Sequence, residues 1–349
     1  MVMLLTMAAG SPAAAPAPRA SIGDVARLAG VAPITVSRVA NGSDAVRPDT
    51  RERVLAAMAM VGYAPNTAAR ALRSGSFETI GLVAHRFTRT GESRTIEGVV
   101  EAARTEGYTV ALVDIVSPTD VSAAATRLRH QAVDGLIVIR AEVATPTDLS
   151  LPPGMPVVVS DSRFVGHHAA VGADQIGGSR TAVEHLLALG HPTVHHIAGP
   201  ADSAPAAQRE ETWRETLRLA GRDVPPVLRG DWTPQSGYQL GAAVAADPTI
   251  TAIYSANDEM AAGLMRALHE RGVRIPEDVS LVGFDDAPIT EFLWPPLTTI
   301  RQDFREIGSQ LVRLLLAQVR DHVDVSREHV VVGTTLQVRG STGPYRPRG

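Results

Sequence analysis

The spacing of apolar residues divides the chain into a short helical head and a longer body of alternating strands and helices. Over residues 22–29 apolar side chains recur every three or four positions, which predicts a two-turn helix capped by Ser21. Gly30 interrupts this helix, and a second helix follows whose inward face includes Val36. A third helix is predicted over about 49–60. Two short helices joined by a glycine turn are typical of a helix-turn-helix, although an ordinary helical hairpin has the same spacing.

From Thr79 onward, short β-rich runs alternate with amphipathic helical segments, such as those predicted over 96–106, 123–131, 178–189, 209–219 and 259–271. This alternation implies right-handed crossovers and a parallel sheet that is covered by helices on both faces. Ligands of such sheets bind outside the carboxyl ends of the strands, so polar side chains that follow the runs are candidates for a binding site. Asp161, Asn257 and Asp285 each follow such a run. The predicted strands are TIGLVA, TVALVDI, DGLIVI, PVVVSD, TVHHIAG, TAIYSA and VSLVGFDD.

Composition and charge limit the class of protein. A chain of 349 residues with 44% hydrophobic residues has material for two or three domains with buried cores. It contains no cysteine, which excludes disulfides and thiolate chemistry. The net charge is −4, but residues 1–75 hold 8 arginines against 4 acidic residues. A basic head on an acidic body is expected when one end of a protein contacts phosphate groups.

Residues 1–20 form a leader that is rich in alanine and proline, and no basic residue precedes its short apolar run. A secretory signal normally begins with a basic segment, so we interpret the leader as a disordered tail or an over-called start. A signal peptide is the alternative. No later apolar run approaches the roughly 20 residues needed to cross a bilayer, and we expect a soluble, cytoplasmic protein without membrane contact.

The outward face of the second head helix carries small polar groups and one arginine. Arg38 can pair with guanine or a phosphate, and Ile34 can contact a thymine methyl group. In the next segment, residues 62–76, Leu72 is the one large apolar side chain and two arginines flank it. Such a wedge suits insertion into the minor groove, whereas the plainer interpretation is a linker whose leucine packs on the next domain. The outward residues of the helix are Pro33, Ile34, Thr35, Ser37 and Arg38.

The head and the segment after it closely resemble the lactose-repressor family of transcription regulators. The resemblance rests on GDVARLAGVAPITVSRVAN followed by TRERVLAAMAMVGYAPNTAARALRS. The chain departs from the family pattern at Ala32 and Arg47, where the family often has serine, so a phosphate contact at Ala32 is not expected. The resemblance implies that Pro33, Ile34 and Arg38 are base readers, that Leu72 is the minor-groove wedge, and that Thr35, Ser37, Asn41, Thr50, Tyr63 and Asn66 are phosphate anchors.

The body, from Thr79 to about Val338, resembles the effector domain of the same family, which is related to periplasmic sugar-binding proteins. Its marks are HLLALGH, ANDEMAAGLMRAL, RIPEDVSLVGFDD and PPLTTIRQDF. The likeness to the lactose-repressor branch of the family extends to IAGP, GDW and SGYQ. It implies a sugar held by an arginine, an asparagine and an aspartate beside a tryptophan. The implied effector residues are Arg209, Asn257, Asp285 and Trp232, and Asp161 is a further candidate because it follows a strand.

These residue types suit a sugar, because a guanidinium offers a fork of donors to vicinal hydroxyls and an aromatic ring covers the C–H face. Each also has a structural alternative. Arg209 could be a surface salt-bridge partner at a helix start, Asp285 could close a strand-end turn, and Trp232 could belong to the core. Asn257 could only cap the next helix, a role that Asp258 fits better. The segment HRFTRTGES, residues 85–93, departs from the lactose-repressor pattern, so the particular sugar stays open.

The predicted fold is α/β, with an N-terminal helix-turn-helix head and a two-lobed, parallel-sheet effector domain like that of periplasmic binding proteins. Residues 1–20 are predicted to be a disordered leader, 21–64 the DNA-binding domain, and 65–76 a hinge helix or linker. Residues 77–340 are predicted to bind the effector and to dimerise, and 341–349 to form a tail.

We expect a repressor under allosteric control that binds a pseudo-palindromic operator in double-stranded DNA as a homodimer and is released by a small sugar such as a galactoside. A sugar-binding transport receptor of the same fold and a purine-responsive repressor are the alternatives. The chain has no lysine for a phosphate loop and no Gly-x-Ser-x-Gly or His-Glu-x-x-His motif, so no enzyme and no cofactor are predicted. The paired histidines at 167–168 and 195–196 are not expected to bind a metal, because neighbours on a strand point to opposite faces.

Overall fold

The chain divides into two compact units, Met1–Gly75 and Ser76–Gly349. No helix in the part of the chain that the structure describes is long and apolar enough to cross a membrane. The structure is a computed structural model, and it describes residues 20–40, 43–63, 76–85, 89–115, 121–130, 133–139, 154–160 and 166–347.

The described residues of the first unit form three short helices around one small apolar core, as predicted. Val25, Val36 and Val54, one from each helix, are fully buried in this core. Ser21 caps the first helix, because its side chain accepts from the Asp24 N–H while the Asp24 carboxylate accepts from the Ser21 N–H. The helices are α1 (Ile22–Ala29), α2 (Pro33–Ala40) and α3 (Pro48–Val61).

In the part of the second unit that the structure describes, the strands form two six-stranded sheets, which we call the N-terminal and the C-terminal lobe. The order in the N-terminal lobe is β11-β5-β4-β3-β1-β2, and in the C-terminal lobe β12-β10-β9-β8-β6-β7. All pairings are parallel except that of β12 with β10. The strands are β1 (Thr79–His85), β2 (Thr109–Ile115), β3 (Gly135–Ile139), β4 (Val157–Ser160), β5 (Ala169–Ala173), β6 (His195–Ala198), β7 (Leu228–Arg229), β8 (Ala252–Ser255), β9 (Ser280–Asp285), β10 (Thr298–Gln302), β11 (His329–Val332) and β12 (Thr334–Gln337).

Helices cover both sheets, and the chain crosses between the lobes after β5, after β10 and after β11. A 3₁₀ helix, Pro288–Phe292, follows β9. The helices of this unit are α4 (Thr90–Thr105), α5 (Val121–His130), α6 (Gln175–Ala188), α7 (Ala204–Leu219), α8 (Pro234–Ala246), α9 (Asp258–His269) and α10 (Phe304–Val319).

All seven predicted strands are present, but the pattern missed β5, β7, β10, β11 and β12 and the helices α8 and α10. The strands β5, β7, β10 and β12 and the helix α8 are short or rich in small or polar residues, so their apolar period is weak, whereas the apolar period of α10 and the HVVV run of β11 are clear and were overlooked. Two predicted helices also begin earlier than expected: α4 at Thr90 and α7 at Ala204. Their first turns are polar or alanine-rich and carry no apolar period.

The segment after residue 340 packs onto the C-terminal lobe. The Ser341 hydroxyl donates to the carbonyl of Leu281 at 2.6 Å, and the N–H of Tyr345 donates to the carbonyl of Leu189 at 2.8 Å. The residues predicted to form a tail are therefore attached to the lobe as far as position 345.

Candidate functional site

The turn of the head is closed by backbone hydrogen bonds at Gly30. Gly30 has φ 62° and ψ 41°, a left-handed conformation that glycine adopts without strain. Its N–H and that of Val31 both donate to the carbonyl of Ala26. The short turn therefore holds α2 against α1 and leaves the other face of α2 open.

The open face of α2 carries the predicted base readers. Pro33, Ile34 and Arg38 are exposed, and Ile34 is 59% exposed although it is a large apolar residue. Thr35 and Ser37 are half-buried. An exposed isoleucine and arginine on one helix face offer a methyl contact and a charged fork, which are two means of reading base edges.

The other predicted anchors are described in part. Thr50 is half-buried in the first turn of α3, and Tyr63 packs against the core of the head while its N–H donates to the carbonyl of Met58. Asn41, Asn66 and Leu72 lie outside the described residues.

In the second unit, Arg209, Asn257 and Asp285 come together at the carboxyl edge of the C-terminal sheet. Asn257 follows β8, Asp285 ends β9, and Arg209 lies on α7, which follows β6. Because β6, β8 and β9 are neighbours in the sheet, their carboxyl ends meet at one place. Each of the three residues is at most 6% exposed. Arg209 is therefore neither at a helix start nor at the surface, and the salt-bridge alternative stated for it is wrong.

The guanidinium of Arg209 is held by several groups at once. Its Nε donates to Gln175 Oε1 at 2.7 Å, and another of its N–H groups donates to the carbonyl of Ala256. Its Nη2 lies 3.7 Å from Asp285 Oδ1, and its carbon lies 3.7 Å from the centre of the Phe284 ring. Such partners offset the free energy of removing a charge from water. They also fix the fork of donors at the edge of the sheet.

Two glutamines that the sequence pattern did not indicate connect this cluster to the segments between the lobes. Gln302 Nε2 donates to Asp285 Oδ1 at 2.5 Å, and Gln175 Nε2 donates to Gln302 Oε1 at 3.4 Å. Gln175 begins α6, just after one crossing, and Gln302 ends β10, just before another. The rule that functional residues follow strand ends would have found Gln302 if β10 had been recognised.

Asn257 has both a structural and a connecting contact. Its Oδ1 accepts from the N–H of Met260 at 3.0 Å, so it is the N-cap of α9, and the expectation that Asp258 fits this role better is wrong. Its Nδ2 donates to the carbonyl of Trp232 at 3.0 Å and to Glu259 Oε2 at 2.8 Å. Asn257 thus holds Trp232 and Glu259 in place.

Asp258 lies below the site and is fully buried. Its Oδ1 accepts from the Thr299 hydroxyl at 2.6 Å, and its Oδ2 accepts from the N–H of Ala287 at 2.8 Å. Burial, and next the charge of Asp285, raise the pKa of Asp258 well above its usual range. The protonated form of Asp258 is therefore favoured beside Asp285.

Trp232 is buried beside the cluster, with its ring 5.7 Å from the guanidinium carbon of Arg209. The ring lies against Gly199, where a Cβ would collide with it. Its indole N–H is buried and has no acceptor among the described residues. A buried donor without a partner costs about 1–3 kcal/mol, so this N–H is suited to an acceptor on a ligand.

The backbone is strained at the same place. Asp285 has φ 117° and Trp232 has φ 75°, a region that residues other than glycine rarely adopt. Such strain is concentrated at binding sites. The neighbouring Asp286 also has a positive φ, of 57°. Its carboxylate forms ion pairs with Arg301 at 2.6 Å and with Arg339 at 2.7 Å, so its contacts serve the fold.

The remaining predicted residues do not add to this cluster. Asp161 lies outside the described residues. His196 is fully buried on β6, where its Nδ1 is 2.8 Å from the carbonyl of Tyr254 and its ring stacks on the Tyr254 ring. Among the residues that the structure describes, no group of three or more His, Cys, Asp or Glu side chains could hold a metal ion.

Comparison with known proteins finds a matching protein family for each of the two units. Residues 21–66 match the family described as bacterial regulatory proteins, lacI family, and residues 183–342 match the periplasmic binding protein-like domain. The chain is also 33% identical over 307 residues to the HTH-type transcriptional repressor PurR of Haemophilus influenzae (strain PittEE), a match that covers 86% of this chain and 91% of that protein. The chain belongs to the lacI family.

Two further relatives match most of the chain. The HTH-type transcriptional regulator CelR of Thermobifida fusca is 33% identical over 91% of this chain and 96% of its own length. The ribose operon repressor of Escherichia coli (strain K12) is 29% identical over 92% and 99%. The relatives are transcriptional repressors and regulators, so this lacI-family chain is a regulator and not an enzyme.

Solved lacI-family structures confirm the predicted fold. The lac repressor dimer bound to operator and the anti-inducer ONPF superposes with a TM-score of 0.79 at 32% identity, covering 93% of this chain and 99% of that one. A CelR–cellobiose complex superposes with a TM-score of 0.69 at 31% identity, covering 93% and 100%. The head and the two-lobed body of this chain therefore have the architecture of a ligand-responsive transcriptional repressor.

Proposed function

We propose that this chain binds a pseudo-palindromic operator as a homodimer in the cytoplasm and is released from it by a small sugar such as a galactoside. The observation that carries the proposal is the buried cluster of Arg209, Asn257 and Asp285 at the carboxyl edge of the C-terminal sheet, with Trp232 beside it.

The chemistry of this cluster favours a sugar. Vicinal hydroxyls can accept from the fork of Arg209 and donate to the carboxylate of Asp285. A hydroxyl oxygen can also accept from the buried indole N–H of Trp232. A purine fits less well, because it has few hydroxyl-like donors for a carboxylate and two large faces that need aromatic or apolar cover.

An exposed apolar patch on the C-terminal lobe supports pairing of two chains. Ile289 and Phe292 of the 3₁₀ helix are exposed, and Trp294 just after it is 92% exposed. Contiguous exposed apolar residues are typical of protein–protein contacts. In a symmetric dimer this patch would face its own copy and would bring two heads to the two halves of an operator.

The contacts of the cluster indicate how a sugar could control the heads. A ligand that engages Arg209 and Asp285 acts on groups that are hydrogen-bonded to Gln175 and Gln302, at two of the crossings between the lobes. It can therefore favour one arrangement of the lobes over another by its differential affinity for the two. The alternative of a transport receptor does not account for the DNA-binding head.

Calorimetric titration of the full chain with galactose, lactose, cellobiose, ribose, hypoxanthine and guanine tests the ligand class. The sugar that binds is then added to the chain on a fluorescent duplex selected by this protein from a random pool, and anisotropy is read. We expect one sugar to bind and to release the duplex, and the variant Arg38→Ala to bind the sugar normally but the duplex more weakly. Binding of a purine alone, or sugar binding with unchanged DNA affinity, would contradict the proposal.

A further inference from the structure

The segment that carries the exposed apolar patch has little regular structure of its own. It connects β9 to β10 and contains the five-residue 3₁₀ helix Pro288–Phe292, and we call residues 286–297 the patch segment. Ile289, Phe292 and Trp294 are between 57% and 92% exposed, so they add little packing to hold it. The hydrogen bonds of a short 3₁₀ helix also have poor geometry. The shape of the patch therefore depends on contacts from other parts of the lobe.

Arg339, just after β12, makes such contacts along the whole patch segment. Its Nη1 donates to the carbonyl of Leu297 at 2.9 Å and to the hydroxyl oxygen of Thr290 at 3.1 Å. Its Nη2 donates to Asp286 Oδ1 at 2.7 Å and to Glu291 Oε1 at 3.1 Å. One guanidinium thus joins the start, the middle and the end of the patch segment.

The backbone around Arg339 is attached to the same lobe. Its own N–H donates to the Thr298 hydroxyl oxygen at 2.9 Å, and the N–H of Gly340 donates to the carbonyl of Pro296 at 3.0 Å. The Ser341 hydroxyl oxygen accepts from the N–H of Thr298 at 2.8 Å. Before Arg339, the strand β12 pairs with β10. These bonds fix the point from which the guanidinium reaches the patch segment.

The contacts of Arg339 favour a role in positioning over a role in stability. Its side chain is 14% exposed, and an ion pair at such a place contributes little net free energy, because removing charges from water offsets their attraction. A guanidinium is planar and rigid, however, and its four acceptors fix its orientation. Asp286 also pairs with Arg301 at 2.6 Å, so two arginines hold the start of the patch segment.

We infer that Arg339 is a positioning residue of the dimer interface, which holds the patch segment in the shape in which Ile289, Phe292 and Trp294 meet the same patch of a second chain. Arg339 acts through the patch segment, since its own side chain is largely covered. The inference rests on dimer formation through this patch, which is part of the proposed function. It adds that dimer formation requires the residues after β12.

Fluorescence-detected sedimentation of the full chain measures the dissociation constant of the dimer. The variants are Arg339→Met, Arg339→Lys, Trp294→Ser and the control Arg218→Met, which removes a surface ion pair of the same lobe. Immobilising one side chain on association weakens binding about 2- to 12-fold, so releasing three patch side chains should raise the dissociation constant of Arg339→Met at least about 10-fold. Arg339→Lys keeps the charge but lacks the fork, and its constant should lie between those of Arg339→Met and the wild type. Arg218→Met should leave the constant unchanged.

Hydrogen exchange shows whether the effect is local. The N–H groups of Thr290 and Leu297 donate to the carbonyls of Ala287 and Thr290, all within the patch segment. Trp294→Ser is compared with the double variant that also carries Arg339→Met, so that dimer formation itself does not protect these amides. In the double variant the two amides should exchange faster, whereas the amides of β9 and α9 should exchange as before.

The outcomes separate this inference from the proposed function. If Trp294→Ser weakens the dimer but Arg339→Met dimerises within about twofold of the wild type, the positioning role is wrong and the patch stands. If Trp294→Ser dimerises like the wild type, the patch is not the interface, and the inference fails with it while sugar control is unaffected. Faster exchange throughout the lobe in the double variant would show that Arg339 only supports the fold. Thermal unfolding shows whether each variant is folded, and Arg339→Lys decides the result if Arg339→Met does not fold.

Discussion

Replacing Arg209 by methionine tests whether its guanidinium serves the ligand as well as the fold. Methionine keeps an unbranched apolar side chain next to the Phe284 ring, but it removes the donor to Gln175 and the charge that faces Asp285. Arg218 on the same helix is the matched control, because its side chain is 64% exposed and its ion pair with Glu211 lies at the surface.

The structure sets the expected size of both effects. Removing one member of a buried ion pair costs about 3–5 kcal/mol, and we expect about 3 kcal/mol because Gln302 still donates to Asp285. At roughly 2–4 °C per kcal/mol for a domain of this size, the melting temperature should fall by about 6–12 °C. The lost charge-assisted hydrogen bond to a sugar is worth about 1.5–3 kcal/mol, so the sugar affinity should fall about 10- to 150-fold. Arg218→Met should change stability by about 1 kcal/mol or less and leave sugar affinity unchanged.

Scanning calorimetry measures the first effect, and titration calorimetry below both melting temperatures measures the second. A variant Arg209→Met that melts earlier but binds the sugar within about twofold of the wild type would show that Arg209 only supports the fold. Arg209→Lys separates charge from geometry. It keeps a positive charge near Asp285, so most of the stability should return, but it lacks the fork and should still bind the sugar weakly.

Three further outcomes are expected. Arg38→Ala should weaken binding to a selected DNA duplex about 5- to 150-fold, since one bidentate base contact is worth about 1–3 kcal/mol, while Arg27→Ala on the exposed face of α1 should change it little. Equal effects of the two substitutions in an anisotropy titration would show that Arg38 has no special role. Trp294→Ser should convert dimers to monomers in sedimentation equilibrium, because a tryptophan contributes about 150–250 Å² to an interface, and an unchanged dimer constant would exclude this patch. Burial lowers the pKa of His196 to about 4, so between about pH 6.5 and pH 4 the unfolded chain binds a proton that the folded chain does not. The free energy of unfolding should therefore fall as the pH falls through this range, by about 3 kcal/mol at most from this group. Urea unfolding between pH 7 and pH 4.5 should show a weaker dependence of this free energy on pH for His196→Phe than for the wild type. The same dependence in both proteins would contradict the role given to His196.

Some elements were predictable because their signal is local. The strands with branched apolar runs and the capped helix that starts after Ser21 were found from spacing and residue type alone. The strand β10, with the sequence TTIRQ, was not found, because it is a strand by virtue of its neighbours β9 and β12. Gly98 and Gly308 also lie inside helices, where glycine is unfavourable. They are explained by the contact between α4 and α10, since a Cβ at Gly308 would collide with the backbone of Gly98.

The sequence by itself determined the head, the order of most strands and helices in the body, and the residue types that suit DNA and a sugar. These depend on periods of a few residues, on caps and on turns, which the chain specifies locally. Only the tertiary structure decided which distant side chains meet. Arg209, Asn257 and Asp285 share one edge because β6, β8 and β9 are adjacent, and Gln302 joins them because β10, which it ends, pairs with β9. Strand order and crossings arise from the packing of the whole unit, and no local pattern encodes them.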